Sequence, residues 1–197
     1  LLRRARRSPL AIPLLALSPC LLAQSLPLPG SYQHFVPAPW SIGVGALADL
    51  DGDGDADLVA PAYANATVQS LLVFPAVGGA FAPPAILPIG RDPTTTAVGD
   101  LDNDGDIDVA VTCYGTTTSG PEVWIYRNSG NGTFATPAIV LSSAHFYSVV
   151  EFLHADAGPD LDLWLVDGAG NKSFRLGLGG GAFGPEIPAP PSLNPQT

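Results

Sequence analysis

Two short acidic segments carry most of the side chains in this sequence that could do chemistry. Residues 49–57 read Asp-Leu-Asp-Gly-Asp-Gly-Asp-Ala-Asp and residues 100–108 read Asp-Leu-Asp-Asn-Asp-Gly-Asp-Ile-Asp, so two windows hold ten of the 18 acidic residues. Carboxylates this close repel one another unless a cation neutralises them. Several carboxylates around one hard divalent cation are typical of Ca²⁺ sites. The alternative is a solvated acidic turn, which two copies in the same register disfavour.

The spacing assigns a role to each position of the two segments. We expect side chains at positions 1, 3 and 5 to point inward and glycine at position 6 to make the sharp turn. Position 7 would offer its backbone carbonyl, and the carboxylate at position 9 would close the shell. The predicted Ca²⁺ ligands are therefore Asp49, Asp51, Asp53, Asp55, Asp57, Asp100, Asp102, Asp104, Asp106 and Asp108.

The same spacing also begins a helix–loop–helix calcium site, which needs a Glu at position 12 and an amphipathic helix on each side. Position 12 is Ala60 in the first segment and Val111 in the second. The flanks are short, apolar and interrupted by Gly and Pro, which predicts strands. The helix–loop–helix interpretation therefore fails.

The composition predicts an all-β protein with many tight turns. The 197 residues are 46% hydrophobic and only 13% charged, with 22 Gly and 21 Pro. That mixture suits short strands and disfavours long helices. The formal net charge of -10 argues against nucleic acid or an anionic membrane surface as a partner.

The N-terminal residues have the features of an export signal. Four arginines within residues 3–7 precede an apolar stretch over residues 10–22 that is too short to span a bilayer. We predict a signal peptide over residues 1–23, cleaved after Ala23, and a Pro-rich lead-in over residues 24–39. The protein is then expected to be secreted or otherwise extracytoplasmic.

The two cysteines do not predict an internal disulfide. Cys20 lies in the predicted signal, where anchoring as a lipoprotein is an alternative that Pro19 disfavours. Cys113 follows an apolar run, so we expect a small, half-buried strand residue.

The sequence after residue 40 repeats with a period near 50 residues. The acidic segments begin 51 positions apart, and a second marker is a Gly-rich turn followed by Phe and then Pro. This marker contains Phe81, Phe134 and Phe183. We expect these Phe side chains to fill the core between neighbouring repeats. We expect the same of the three tryptophans, Trp40, Trp124 and Trp164.

Each repeat is predicted to contain four short antiparallel strands, which is the pattern of a propeller blade. The division is blade 1 over residues 40–90, blade 2 over 91–141, a degenerate blade 3 over 142–190 and a tail over 191–197. The predicted strands lie at residues 71–74, 85–89, 95–98, 109–113, 123–127, 138–141, 147–152, 161–166 and 173–178, with a weak one near Glu186.

A third acidic segment lies where the period predicts it, with fewer carboxylates. Its end, Asp160-Leu-Asp162, matches the end of the second segment. Gly158 or Ala157 falls where an inward carboxylate belongs, and Pro159 adds a residue. We expect this loop, which also contains Asp156, to keep its shape and to have lost most of its affinity for metal.

The Asp-x-Asp-x-Asp-Gly-x-x-Asp loop that opens a strand, together with the Gly-x-Phe-x-x-Pro turn, resembles the FG-GAP or VCBS-type repeat. The resemblance extends from Trp40 to about Pro190. That family builds the β-propellers of integrin α subunits and of many secreted bacterial proteins, so it implies calcium in the turn between the first two strands of a blade. Three blades are too few to close a ring. We therefore expect a partial or open propeller, with further blades from a longer product or from other chains.

These features predict an exported, non-catalytic, calcium-binding repeat protein that serves as a binding, adhesion or scaffold module for a protein or glycan. The alternative is the accessory propeller portion of a secreted hydrolase or lyase. Catalytic groups are sparse, because His34, His145 and His154 have no metal-pair spacing and no nucleophile motif lies near them. We therefore predict no catalytic residue and no membrane span.

Overall fold

The computed structural model describes residues 40–115, 120–136, 139–143 and 145–190. The predicted signal peptide, lead-in and C-terminal tail lie outside the described residues, as does His34. Within these ranges the chain is all-β and contains no helix, which confirms the predicted fold class.

The described residues form fifteen strands. In chain order they are β1 (Ser41–Ile42), β2 (Ala46–Ala48), β3 (Asp57–Tyr63), β4 (Gln69–Phe74), β5 (Ala76–Val77), β6 (Ala80–Phe81), β7 (Ala85–Leu87), β8 (Pro93–Gly99), β9 (Asp108–Cys113), β10 (Glu122–Tyr126), β11 (Ile139–Ser142), β12 (Tyr147–Leu153), β13 (Asp162–Asp167), β14 (Lys172–Gly177) and β15 (Phe183–Pro188).

Three antiparallel sheets follow one another along the chain, and they are called blades 1, 2 and 3. Blade 1 has the order β1-β3-β4-β7, with β2 also paired to β3 and a small β5–β6 hairpin beside the sheet. Blade 2 has the order β11-β10-β9-β8 and blade 3 the order β12-β13-β14-β15. These are the expected four-stranded blades, and the sheets of the described residues do not close into a ring.

The predicted strands agree with the observed ones to within a few residues. The strand predicted at 95–98 is β8, and the one predicted at 173–178 is β14. The strand near Glu186 is longer than expected, because β15 pairs with β14 along Arg175, Phe174 and Ser173.

A close backbone approach divides the first strand of blade 1. β1 pairs with the end of β3 and β2 pairs with its beginning. Between them, a Cβ atom at Gly45 would lie 2.5 Å from the Val59 carbonyl oxygen and 2.7 Å from the Ala60 Cβ. Only glycine allows the chain to pass β3 at this distance.

The hydrophobic core lies in the joints between neighbouring blades. In the first joint, side chains of β3 and β4 pack against those of β9 and β10, and Tyr126 is fully buried. That cluster contains Ala48, Leu50, Val59, Leu71, Val73, Val109, Val111, Cys113 and Tyr126. The joint between blades 2 and 3 contains Ala97, Leu101, Ala110, Val123, Ile125, Tyr147, Val150, Leu163 and Leu165.

Two of the three phenylalanines after the Gly-rich turns pack between neighbouring blades, as the repeat predicted. Phe134 packs against the core of the first joint and Phe183 against the core of the second. Phe81 is 7% exposed and belongs to a third cluster, on the face of blade 1 that points away from blade 2. The repeated Phe therefore marks the same face of each blade.

The tryptophans follow the prediction only in part. Trp124 packs against the first joint and Trp40 against the blade 1 cluster. Trp164 is half-buried and is not among the residues that pack in either joint. Cys113 is more deeply buried than expected, at 1% exposure, and this burial raises the pKa of its thiol.

Candidate metal centre

Each of the first two acidic segments forms a tight loop between two strands of one blade. Loop 1 (residues 49–56) joins β2 to β3, and loop 2 (residues 100–107) joins β8 to β9. The sixth residues, Gly54 and Gly105, have φ of 92° and 97°, which other residues rarely adopt. The predicted glycine turn is therefore present in both loops.

The first aspartate of each loop organises the turn by accepting backbone hydrogen bonds. Asp49 accepts the N–H groups of Gly52 at 2.8 Å and Gly54 at 3.0 Å. In loop 2, Asp100 accepts the N–H groups of the fifth and sixth loop residues at 3.1 and 3.0 Å. The backbone of each loop therefore wraps around this carboxylate.

Three carboxylates converge at one focus in each loop. In loop 1 the focus is formed by Asp49, Asp51 and Asp57, each of which places an oxygen within 4.8 Å of the other two. Loop 2 repeats the arrangement with Asp100, Asp102 and Asp108. Because Ca²⁺ binds oxygen ligands at about 2.3–2.6 Å, oxygens this close together can share one ion.

The other four predicted ligands lie outside these two groups. Asp53 and Asp104 each accept the N–H of the residue two positions later, at 2.8 and 3.0 Å. Asp55 accepts the N–H of the first glycine in the Gly-rich turn of its own blade at 2.8 Å. An oxygen of Asp106 lies 2.6 Å from where a Cβ atom at Gly130 would be. The side chains of Asp53, Asp104 and Asp55 thus bind backbone amides.

The ninth aspartate of each segment is buried and hydrogen-bonded on two sides. Asp57 is 1% exposed, and it accepts the N–H of Leu50 at 2.8 Å and that of Ala76 at 2.7 Å. Asp108 is 0% exposed and accepts the two corresponding N–H groups of blade 2 at 2.9 and 2.8 Å. Each carboxylate therefore ties the acidic loop to the end of the third strand of its blade.

Blade 3 has the same connection. Asp162 is 1% exposed, and it accepts the N–H of Ala155 at 2.5 Å and that of Gly177 at 2.7 Å. We call Asp57, Asp108 and Asp162 the clamp aspartates. The sequence predicts only a ligand role for the first two. The sequence does contain a signal for the second role, the binding of backbone N–H groups. Asp162 is an aspartate at position 9 of a segment that lacks the other predicted ligands.

The remaining acidic residues of the third segment do not form a focus. Asp156 accepts the N–H of Gly158 at 2.6 Å, and Asp160 accepts the Nδ2–H of Asn103 in loop 2 at 3.0 Å. Within the described ranges, the converging groups are those of loops 1 and 2. The third segment therefore has the shape of the turn without its cluster of carboxylates.

Burial and repulsion make the ionised carboxylates costly without a cation. Burial raises the pKa of Asp57, and the negative charges of Asp51 and Asp53 raise it further. Burial is also the main reason that the pKa of Asp108 rises to about 6. The pKa of Asp102 is raised in the same way, by burial and then by neighbouring carboxylates. A cation at the focus would replace this cost with an attraction.

The donor set fits a hard divalent cation. Each focus consists of carboxylate oxygens, without the nitrogen or sulfur ligands typical of zinc. In loop 2 the Oδ1 atom of Asp102 is buried and has no hydrogen-bond partner among the described residues. Buried polar atoms without a partner are uncommon, and a bound ion would supply the missing one.

Both loops also contact the next blade. The Leu50 carbonyl accepts the N–H of Gly132 at 2.9 Å and the Nδ2–H of Asn128 at 2.6 Å. The Leu101 carbonyl accepts the N–H of Gly181 at 3.2 Å. Gly132 and Gly181 occupy the same place in the Gly-rich turns of blades 2 and 3. Each loop therefore lies at a joint between blades.

Loop 2 has a cationic side chain beside its focus. The Nε atom of Arg127 lies 3.8 Å from Asp102 Oδ2, and the guanidinium also donates to the Gly180 carbonyl of blade 3. The residue at the equivalent place in blade 1 is Pro75. The two foci therefore differ in their electrostatic surroundings although their carboxylates match.

The described histidines lie away from both foci. His154 belongs to the third segment, where its Nδ1 atom lies 3.1 Å from the Asp160 carbonyl oxygen. His145 is exposed just before β12, at the other end of blade 3. A search of the described residues for a helix able to cross a bilayer found none.

Comparison with protein families gives one match. The model described as an FG-GAP-like repeat matches residues 49–111 and residues 100–157, which together cover more than half of the chain. The two matches begin at the first aspartates of loop 1 and loop 2. No curated protein and no solved structure gave a significant match.

Proposed function

The chain belongs to the FG-GAP-like repeat family, and from this membership we propose an exported, non-catalytic binding or scaffold module of β-propeller type, with Ca²⁺ as a structural ion. The observation that carries the proposal is the convergence of three carboxylates within 4.8 Å in each of two loops. Asp49, Asp51 and Asp57 would hold one ion, and the equivalent residues of loop 2 would hold a second.

The ion's contribution would be positive charge at a point where negative charge is concentrated. Within the chain, Asp49 and Asp100 shape the loops, and the clamp aspartates fix the loops to the third strand. The Leu50 and Leu101 carbonyls then hold the loops against the next blade. Filling the foci is therefore expected to stabilise the joints between blades as well as the loops.

An extracytoplasmic location would suit sites of this kind. Extracellular calcium modules bind with Kd of about 10⁻⁴–10⁻³ M, which is weak enough to need the high calcium outside cells. The basic and apolar N-terminal residues support export. A protein or glycan partner would meet the exposed loops at the rims of the blades, because connecting loops carry most binding residues.

The test is thermal unfolding of the purified chain across a calcium titration. At a calcium concentration about 100 times Kd, each site adds about 2.7 kcal/mol to stability, which corresponds to a rise in Tm of roughly 5–10 °C for a chain of this size. An unchanged Tm up to about 10 mM calcium would refute a structural role for the ion.

Matched variants separate specific binding from a general effect of salt. Asp49→Asn and Asp100→Asn each remove one focus and should each abolish part of the rise in Tm. Asp156→Asn, in the third segment, removes an exposed carboxylate that belongs to neither focus and should leave the rise unchanged. Equal losses in all three variants would show that calcium acts on overall charge.

A further inference from the structure

Blade 3 differs from the other two blades at three core positions on its second and third strands. Strand pairing fixes the equivalent residues once the clamp aspartates are aligned. Phe74 of blade 1 and Tyr126 of blade 2 correspond to Arg175 of blade 3. In the same way, Leu72 of blade 1 and Trp124 of blade 2 correspond to Ser173 of blade 3. Ala62 of blade 1 and Cys113 of blade 2 correspond to Asp167 of blade 3.

In blades 1 and 2 these positions belong to the hydrophobic clusters. Leu72 and Tyr126 are 0% exposed, and Phe74 is 1% exposed. In blade 3 the same places are taken by Arg, Ser and Asp, although Ser173 is only 7% exposed. Polar groups at core positions cost free energy unless they are well paired or serve a function.

A cavity of about 440 Å³, within the range of small-molecule sites, is lined by two of these residues, Asp167 and Ser173. It is found at the start of β12 and β14 and at the end of β13, roughly 20 Å along the strands from the third acidic segment. The side chains that matter for its chemistry are His145, Tyr147, Asp167, Lys172, Ser173 and Glu186.

Two hydroxyl groups at this cavity are held in place. Tyr147 is 3% exposed, and its hydroxyl donates to a carboxylate oxygen of Glu186. The same hydroxyl lies 3.1 Å from the Ser173 Oγ atom. Glu186 also faces Arg175, whose Nη2 atom lies 3.8 Å away. The floor of the cavity is therefore a preorganised set of donors and acceptors, which favours recognition of a ligand with hydroxyl groups.

The charges around the cavity are largely compensated within the protein. Asp167 accepts the N–H groups of Ala169 and Asn171 at 2.8 and 2.9 Å and the Nδ2–H of Asn171 at 2.9 Å. Glu186 is paired as described, and Lys172 adds a positive charge to the lining. No single sign of charge dominates, so the lining suits a neutral ligand better than an ion.

We infer that this cavity of blade 3, with Tyr147, Ser173 and Glu186 at its floor, binds a neutral carbohydrate of one or two sugar units. Hydroxyl groups of the sugar would exchange hydrogen bonds with the floor. The site goes beyond the proposed calcium function, because no lining residue belongs to loop 1 or loop 2.

The experiment is calorimetric and saturation-transfer NMR titration of the whole chain, in calcium buffer, with a fixed panel of sugars: glucose, galactose, mannose, N-acetylglucosamine, maltose and cellobiose. At least one sugar should bind saturably. Ser173→Leu introduces the residue that blade 1 has at this position and fills the cavity, so binding should weaken at least about tenfold. Ser173→Ala removes only the hydroxyl and should weaken binding about fivefold, the effect of one neutral hydrogen bond.

Ser148→Ala is the matched control, because Ser148 is exposed on β12 and is not a lining residue. It should leave the affinity unchanged. The inference is overturned if no sugar of the panel binds to folded protein, as judged by a cooperative thermal unfolding transition. It is also overturned if Ser148→Ala and Ser173→Ala weaken binding equally. None of these outcomes alters the calcium response, so the two proposals fail separately.

Discussion

Loops 1 and 2 and the third acidic segment have the same turn with different carboxylates. All three connect the first and second strands of a blade, and all three end in a clamp aspartate that is at most 1% exposed. Only loops 1 and 2 bring three carboxylates to one focus among the described residues. The shape of the turn and the convergence of the carboxylates are therefore separable properties.

The aspartates of these segments have different roles. Asp162 binds backbone N–H groups on both sides of its segment without an acidic cluster beside it. The connection between loop and third strand therefore needs no cation. In loops 1 and 2, Asp57 and Asp108 make this connection and also contribute an oxygen to the focus. The other members of each focus are thus the better tests of ion binding.

The largest expected effect comes from removing the clamp of blade 3. Hydrogen bonds to charged groups contribute about 1.5–3 kcal/mol each, so loss of the bonds to Ala155 and Gly177 in Asp162→Ala should cost about 3–6 kcal/mol of stability. The loss should be the same in calcium and in chelator, because this segment has no focus. Thermal unfolding in both buffers measures it, with Asp156→Ala as the exposed control. A stability loss confined to calcium buffer would mean that the third segment binds metal after all.

Substitutions within the foci should have the next largest effect on stability, and this effect should appear only with calcium. Asp51→Asn and Asp102→Asn should each remove one binding site from the stoichiometry and about 2–3 kcal/mol of calcium-induced stability at saturation. Asp53→Asn and Asp104→Asn should keep both sites, because these side chains lie outside the two groups. Isothermal titration calorimetry measures the number of sites. A loss of a site in Asp53→Asn would place the aspartate at position 5 in the shell, as the loop spacing alone predicts.

The blades and their loops could be predicted from sequence because the signals are local and repeated. Short apolar runs, Gly-rich turns and acidic segments recur at a fixed period, and the strands form where these signals place them. The face marked by Phe134 and Phe183 follows from the same period. Even the weak strand near Glu186 is present, since pairing with β14 extends it.

The composition of each focus was not predictable from spacing. Five aspartates alternate along nine residues, and the sequence does not show which of them bind backbone amides instead of gathering together. Asp53 forms a local turn bond at 2.8 Å, while Asp57 is drawn into the blade by Leu50 and Ala76. The polar cavity was also missed, because Ser173 and Trp124 become equivalent only when the strand register is known.

Acidification should have opposite effects on the stability of the calcium-free and the calcium-bound protein. The folded-state pKa of Asp108 is raised to about 6 from an ordinary 3.8, so the folded state takes up this proton before the unfolded state does. In chelator, stability from this group should rise as pH falls from about 7 to about 5, by about 1 kcal/mol. In calcium, protons compete with the ion and stability should fall. Asp108→Asn should reduce the rise in chelator, leaving the part that comes from Asp57 and Asp102, whose pKa values are also raised. An undiminished rise in that variant would show that Asp108 does not contribute to it.

The smallest effect concerns the difference between loops 1 and 2. Arg127 lies 3.8 Å from Asp102 Oδ2, where it partly neutralises the focus of loop 2, and blade 1 has Pro75 in its place. Ion pairs of this exposure contribute at most about 1 kcal/mol, so Arg127→Gln should tighten calcium binding at loop 2 by up to about fivefold. Calorimetry in an Asp51→Asn background counts only that loop. Arg91→Gln, beside Asp92 and outside both loops, is the matched control and should change nothing. Weaker binding in Arg127→Gln would show that the guanidinium orients Asp102 toward the ion instead of competing with it.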